Sequence, residues 1–267
     1  MVRERHGWTR LVEADENLGY GKAVNLVAEQ TNSPWLALAN ADIALRPGAL
    51  EKMLASGEAD PGAGILAPRL VLPNGATQHS VWAFPTIMAT LAQNLGPRVV
   101  GANLADRLLL IGGWNADRAR RVPWAIGAFL IARRRAWDEV GGFDQDQWMS
   151  AEDLDLGWRM RKAGWATRYE PRAIVDHEES AATGQVWPDD ELALHWQRCA
   201  YAWMLRRYGR WRTVIVGMLN LTGFGFRYLI RLARAGFRQD EAMRALYRWT
   251  LVHGCVLASR RRLEQYR

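Results

Sequence analysis

Three short segments of the sequence carry residues suited to chemistry. Asn40-Ala41-Asp42 comes directly after Trp35 to Ala39, a continuous apolar run that reads as a buried strand. In open α/β sheets ligands bind beyond the carboxyl ends of strands. A carboxylate placed there can bind a divalent cation, which in turn neutralises a diphosphate. The same aspartate also suits a plain turn or cap ahead of Pro47. Glu152-Asp153-Leu154-Asp155 crowds three carboxylates into a first helical turn, where the macrodipole favours them. A carboxylate held at a helix start is placed to act as general base toward a hydroxyl. A capping box on Ser150 and Asp153 accounts for part of that pattern without any catalysis. His177, in VDHEES, follows a strand and can ligate a metal as neutral imidazole, or be an ordinary surface histidine.

Other familiar arrangements fall away. Gly19-Tyr20-Gly21 resembles the start of a dinucleotide fingerprint, but Val24 stands where the third glycine belongs. There is no P-loop, no Ser-His-Asp motif and no paired-cysteine motif.

The candidate residues need a scaffold, and the pattern around them supplies one. Residues 8 to 14 (WTRLVEA) read as a short strand, and 19 to 31 as a helix opening from a glycine turn. Pro47 is expected to open a helix, PGALEKMLAS, as its first helical residue. Gly64 to Ala67 and Val122 to Arg133 read as strands, the second followed by the helix RRAWDEV and the turn Gly141-Gly142-Phe143-Asp144. Ser150 to Gly164 reads as a helix with Ser150 as N-cap, and 165–169 and 173–175 as two strands. Residues 76 to 120 give loops with a helix or two, and from about Trp187 the chain reads as helical. Alternating strands and helices indicate an α/β sheet with helices on its faces.

Composition narrows the class. A chain of 267 residues, nearly half of them apolar, buries a full core as one large domain with an appendage. Cys199 and Cys255 form neither a disulfide framework nor a metal-ligand spacing, and the start MVRERHGWTR lacks the apolar stretch of a signal peptide; a cytoplasmic setting is expected. The net charge of +7 is uneven. From Ala200 onward fourteen arginines face only Asp240, Glu241 and Glu264, so the rest of the chain is net acidic. Residues 213 to 226 are uncharged, too few for the roughly 20 that span a bilayer. Arg227, Arg231, Arg234 and Arg238 then recur at helical spacing, as in an amphipathic helix lying on an anionic membrane or one packed on the domain with a solvated arginine face. No nucleic-acid-binding motif accompanies this charge.

Taken in order, Asn17-Leu18-Gly19-Tyr20-Gly21 with Asn25, LALANADIALRPGALEKML, the block from Val122 to Trp165, and YEPRAIVDHEES resemble the family 2 glycosyltransferases. The nearest look is to rhamnosyltransferase-like and galactofuranosyltransferase-like members that build bacterial cell-surface glycans. The resemblance runs from about Asn17 to Ser180. It implies a GT-A fold, a Rossmann-like nucleotide-binding sheet in an α/β domain over residues 1–186, followed by a helical basic region over 187–267. By this resemblance Asp42 is the metal ligand of the acidic triplet, with Asn40 at best a weak one, and His177 completes the metal site. Asp153, with Glu152 beside it, supplies the catalytic base, and Asn17, Gly19 and Asn25 line the nucleotide. The implied cofactor is Mg²⁺ or Mn²⁺ and the implied donor a nucleotide sugar. The acceptor is a saccharide or lipid-linked glycan at the inner face of the cell membrane, and the reaction inverts the anomeric centre. Members begin with a strand, helix and strand that are not found ahead of Asn17 here. An edge of the sheet beside the nucleotide site is therefore expected to be unpaired. A non-catalytic remnant that still binds sugar nucleotide is the competing expectation.

Overall fold

The computed structural model describes residue 4 and residues 6–147, 151–178 and 189–235. Its centre is a mixed six-stranded sheet in the order β1-β7-β3-β8-β2, with β5 also paired to β8. The strands are β1 (Trp35–Ala39), β2 (Ile43–Leu45), β3 (Ala63–Val71), β5 (Arg120–Val122), β7 (Phe129–Arg133) and β8 (Ala166–His177). A small separate ladder joins β4 (Val81–Trp82) to β6 (Trp124–Ala125). Only β3 and β8 run parallel; β7 lies antiparallel between β1 and β3. Among the described residues β1 pairs on one side only, with β7, so it forms the sheet's edge.

Alternation along the strands builds a core on each face. Leu36, Leu38, Ile65, Ala67, Leu130 and Ala132 face α1 (Tyr20–Ala28), α6 (Arg134–Val140) and α7 (Glu152–Lys162). Leu66, Leu70, Phe129, Ile131 and Val175 face α2 (Ala49–Glu58), through Ala49 and Met53. Each fully buried Leu, Ile or Met contributes about 1.5–3 kcal/mol relative to exposure. A third cluster joins Trp124 and Leu154 to Tyr201, Trp203 and Met204 of α8 (Asp189–Tyr208) and Val216 of α9 (Arg210–Ala235). The C-terminal helices therefore share a core with the sheet domain.

Several sequence expectations shift. Residues 8 to 14 form turns and irregular chain, mostly exposed, with no ladder to hold them as a strand. Pro47 precedes the helix it was expected to open: Gly48, left-handed at φ 76°, is the N-cap of α2. The strands expected at 165–169 and 173–175 are one, β8, which keeps pairing with β3 through a register shift beside Pro68 and Arg69. Residues 76 to 120 hold three helices, α3 (Ile87–Leu95), α4 (Pro97–Val100) and α5 (Ala102–Arg107). Ser150 lies outside the described residues, and the N-cap of α7 is Ala151, with no side-chain cap. In α9 the arginine stripe is not uniformly solvated: Arg227 is half-buried and donates to the backbone oxygen and Oδ1 of Asn94 on α3.

Candidate active site

The expected strand from 122 to 133 is broken, and the break makes the site. Between β6 and β7, Ile126, Gly127 and Ala128 leave the ladder and bond to four neighbours instead. The Ile126 amide donates to the Ser80 oxygen (2.9 Å), and the Gly127 amide donates to Asp153 Oδ2 (2.9 Å). The Gly127 oxygen accepts from the Tyr20 hydroxyl (3.2 Å), and the Ala128 oxygen accepts from the Asn40 amide (2.9 Å). Two consecutive residues thus tie the base candidate on α7 to the Asn40-Ala41-Asp42 turn after β1. An isolated glycine within an apolar strand is the signal for such a close approach.

Asp153 is held by more than helix capping. Its Oδ1 takes the Leu154 amide at 2.7 Å, while Oδ2 reaches across to Gly127; the capping box expected with Ser150 falls outside the described residues. Burial first, and the neighbouring charge of Glu152 second, push its carboxyl up to about 7. A carboxyl held there is matched to proton transfer near neutral pH. Glu152 itself accepts from the Ala151 amide (2.9 Å). The Tyr20 phenol bonds to the same Gly127, its own ionisation pushed upward by burial and then by Glu152 and Asp153.

The second half of the site lies where β2 and β8 meet. Ile43 stands opposite His177 in the antiparallel register, and the Glu178 amide donates to the Asp42 backbone oxygen (3.0 Å). His177 Nε2 comes within 3.6 Å of Asp42 Oδ1, both side chains being largely buried. Asp42 Oδ1 has no hydrogen-bond partner, which leaves a buried carboxylate oxygen aimed at an imidazole nitrogen. Gln78, from the segment between β3 and β4, presents Oε1 to His177 Nδ1 at 2.8 Å. That contact holds the ring with Nε2 toward Asp42. Metal-ligating histidines are oriented in the same way by a carbonyl oxygen on their other nitrogen. An orphaned carboxylate oxygen beside such a nitrogen fits a divalent cation. Among the described residues no third His, Cys, Asp or Glu joins them. Ions of the Mg²⁺ type commonly take one or two protein ligands and complete their shell with substrate phosphate and water.

The remaining candidates sit around α1. Asn17 Oδ1 accepts the Gly19 amide (3.0 Å), and Gly19, at φ 73°, is the N-cap that turns the chain into the helix. Asn25 is buried and spends its amide on Phe143: Nδ2 donates to the Phe143 oxygen (2.8 Å) and Oδ1 accepts its N–H (2.9 Å). It therefore works as a strut between α1 and the Gly141-Gly142 turn. A Cβ at Gly142 would stand 2.5 Å from Asn25 Oδ1. Asn40 contributes its backbone amide to the Ala128 link. Gln78, Gly127 and Tyr20 were not singled out from sequence. Of these, only Gly127 carries a local signal, because the other two act through contacts distant in the chain.

Comparison with known proteins gives the family and the fold. The family model "Glycosyltransferase like family 2" matches residues 1–198. An N-acetylglucosaminyl-diphospho-decaprenol L-rhamnosyltransferase of Mycobacterium tuberculosis is 31% identical over 223 residues, covering 78% of this chain and 70% of that protein. A pre-mycofactocin glycosyltransferase of the same species is 30% identical over 161 residues, covering 60% of this chain and 30% of its own length. Among solved structures, a mannosyltransferase from Pyrobaculum calidifontis in complex with GDP-Man and Mn²⁺ superposes with TM-score 0.53 at 14% identity. That match covers 96% of this chain and 70% of the mannosyltransferase. GalNAc-T7 with UDP, GalNAc and Mn²⁺ gives TM-score 0.50 at 13% identity, over 78% of this chain and 39% of its own. At such identities the two structures speak to fold alone, and the fold is GT-A. With the family model spanning the sheet, both halves of the site and the start of α8, this chain belongs to glycosyltransferase family 2.

Proposed function

We propose that the protein transfers a sugar, rhamnose or a related one, from a nucleoside-diphosphate donor to a saccharide or lipid-linked acceptor, with inversion, in cell-surface polysaccharide synthesis. The observation that carries this reading is the 126–128 link. Gly127 bonds the Asp153 carboxyl, raised to about 7, and the adjacent Ala128 bonds the Asn40-Ala41-Asp42 turn. The rhamnosyltransferase relative, whose name contains a lipid diphosphate, supports a lipid-linked acceptor. The mannosyltransferase, solved with GDP-Man and Mn²⁺, supports a nucleotide donor and a divalent ion.

Asp153, once ionised, accepts the proton of the acceptor hydroxyl. The freed oxygen forms its bond to the anomeric carbon from the face opposite the diphosphate. The bond from that carbon to the diphosphate oxygen breaks, and the electron pair leaves with the phosphate. One displacement of this kind inverts the centre. Gly127, through its amide, and Leu154 fix the two carboxylate oxygens, so the base does not swing on proton uptake. Asp42 and His177 would hold Mg²⁺ or Mn²⁺, with Gln78 orienting the imidazole and Asn40 at most a weak contributor. When bound, the ion supplies positive charge against the departing diphosphate. Asn17 and Gly19, at the start of α1, line the nucleotide, and Asn25 fixes that helix from behind. The basic C-terminal helices would seat the enzyme on the cytoplasmic face of an anionic membrane, where a lipid-linked acceptor resides.

The test is transfer itself. With Mn²⁺ present, nucleoside-diphosphate sugars are screened for diphosphate release that depends on an added acceptor, beginning with dTDP-rhamnose. Donor affinity is measured by calorimetry in the same preparations. Binding without transfer to any acceptor would favour a binding protein of the same fold, and neither binding nor transfer would overturn the reading.

A further inference from the structure

Helix α9 is amphipathic the wrong way round for a protein in water. Trp211, Ile215, Met218, Thr222, Phe226 and Leu229 recur at intervals of three, four or seven and are all exposed, Phe226 by 66% and Leu229 by 60%. The one hydroxyl in this outer stripe, that of Thr222, is satisfied by the Met218 oxygen of its own helix (2.9 Å). Beside Val216, which joins the core, the inward side carries polar groups. Asn220 bonds to Tyr201 and to Asn94, Arg227 bonds to Asn94, and a Cβ on Gly223 would collide with Asn94.

The helix against which α9 lies repeats the feature. On α3, Met88, Leu91 and Leu95 form an exposed stripe, with Met88 exposed by 69%, and the chain continues through exposed Val99 (70%) and Leu104. Residues 61 to 105 contain no aspartate or glutamate, and neither does α9; Asp106, near the end of α5, is paired with Arg118 and Arg120. Exposed Arg98 lies beyond α3, and exposed Arg210, Arg212 and Arg231 lie on α9. Large contiguous apolar surface on a soluble chain marks an interaction site. An apolar surface bordered by cations, its one acid already paired with arginine, is complementary to an anionic lipid interface.

We infer that α3 to α5 and α9 together form a two-element seat that lies in the headgroup region of an anionic bilayer, the α3 segment being a second foot beside the tail. This deepens the membrane contact of the proposed function and rests on that reading only for its biological purpose. Among the described residues Arg210–Ala233 is also long and apolar enough to cross a membrane. Hydrogen bonds from Asn94 to Asn220, from Asn220 to Tyr201 and from Arg227 to Asn94 hold it along the domain instead.

Flotation of the full chain with phosphatidylcholine vesicles, with and without phosphatidylglycerol, tests the inference. Binding should need the anionic lipid and weaken as salt rises. The double substitution Leu91→Ser with Leu95→Ser should lower partition about tenfold or more, as should Met218→Ser with Phe226→Ser, whereas Leu50→Ser on α2 should change nothing. All these positions are exposed, and unchanged circular-dichroism melting checks that each variant folds. Wild-type partition by the Leu91/Leu95 variant would remove α3 from the surface. Equal binding to neutral and anionic vesicles, or resistance to alkaline carbonate extraction, would overturn the inference outright. Transfer to a short-chain, water-soluble acceptor, run in parallel, separates the two questions: its absence in every protein counts against the enzymatic reading and leaves the flotation result standing.

Discussion

At the scale of single residues the site depends on what surrounds Asp153. Its carboxyl is raised to about 7 chiefly by burial, so turnover should climb with pH and level off above an apparent value near 7. Asp153→Asn keeps shape and hydrogen-bonding volume but cannot take a proton. It should lose about 10²-fold or more in turnover while donor binding persists. Near-normal turnover would pass the role to Glu152. Stability should move the other way. A carboxyl whose folded pKa lies above its unfolded value stabilises the fold where it is protonated and loses that contribution as pH rises through about 7. The asparagine variant should therefore melt at or above the wild type at pH 8, and the gap should close in acid. A wild type that melts higher at pH 8 would contradict a buried, raised carboxyl. Asp153, Asp42 and His177 stand out as candidates in the sequence because each lies at the end of a strand or the start of a helix. Their partners do not: Tyr20 and Gly127 are 107 residues apart, and Gln78 and His177 are 99 apart.

At the scale of elements, α7 must hold its first turn still, and α8 does much of that work. Asp155 is fully buried and accepts from Arg159 Nε (2.6 Å), Arg207 Nε (2.8 Å) and Trp203 Nε1 (2.8 Å). Burial pushes its carboxyl up, and the hydrogen bonds from Arg207 and Arg159 outweigh burial and hold it below the usual range. Asp155→Ala would take the carboxylate from Arg159, leave Arg207 with Asp144 alone, and should cost about 3–5 kcal/mol in denaturant unfolding. A loss below about 1 kcal/mol would mean that the clamp is solvent-screened and weak. The clamp was invisible in sequence, where Asp155 reads as one more helix-start acid. Strand β1 and helix α6 had clear bounds, because an apolar run or a turn glycine marks each end. The break at 126–128 was hidden, since Ile126 and Ala128 continue the apolar pattern while leaving the ladder. Residues 8 to 14 show the converse, a strand-like composition without a neighbour to pair with. Composition proposes a strand, but hydrogen bonding to a neighbour decides it.

At the scale of the whole molecule, the candidate metal site joins parts that are distant in the chain. Asp42 precedes β2, His177 ends β8, and Gln78 comes from the segment after β3, so an ion held between them would cross-link the sheet's far end. A ligand that binds only the folded chain stabilises it by RT ln(1 + [L]/Kd), about 2.7 kcal/mol at a hundredfold excess over Kd. Mn²⁺ with a nucleoside diphosphate should therefore raise the melting temperature more than either alone, since phosphate oxygens complete the ion's shell. Chelation should abolish the synergy and leave whatever the nucleotide contributes by itself. Asp42→Ala and His177→Ala should each remove the metal-dependent part without lowering the unliganded melting point in proportion. Gln78→Ala should weaken it about 10- to 100-fold in metal affinity, because the imidazole loses its orienting partner. A melting shift that keeps its Mn²⁺ dependence in the Asp42→Ala protein would place the ion elsewhere. The proximity of Asp42 Oδ1 to His177 would then be a feature of the fold with no part in holding the donor.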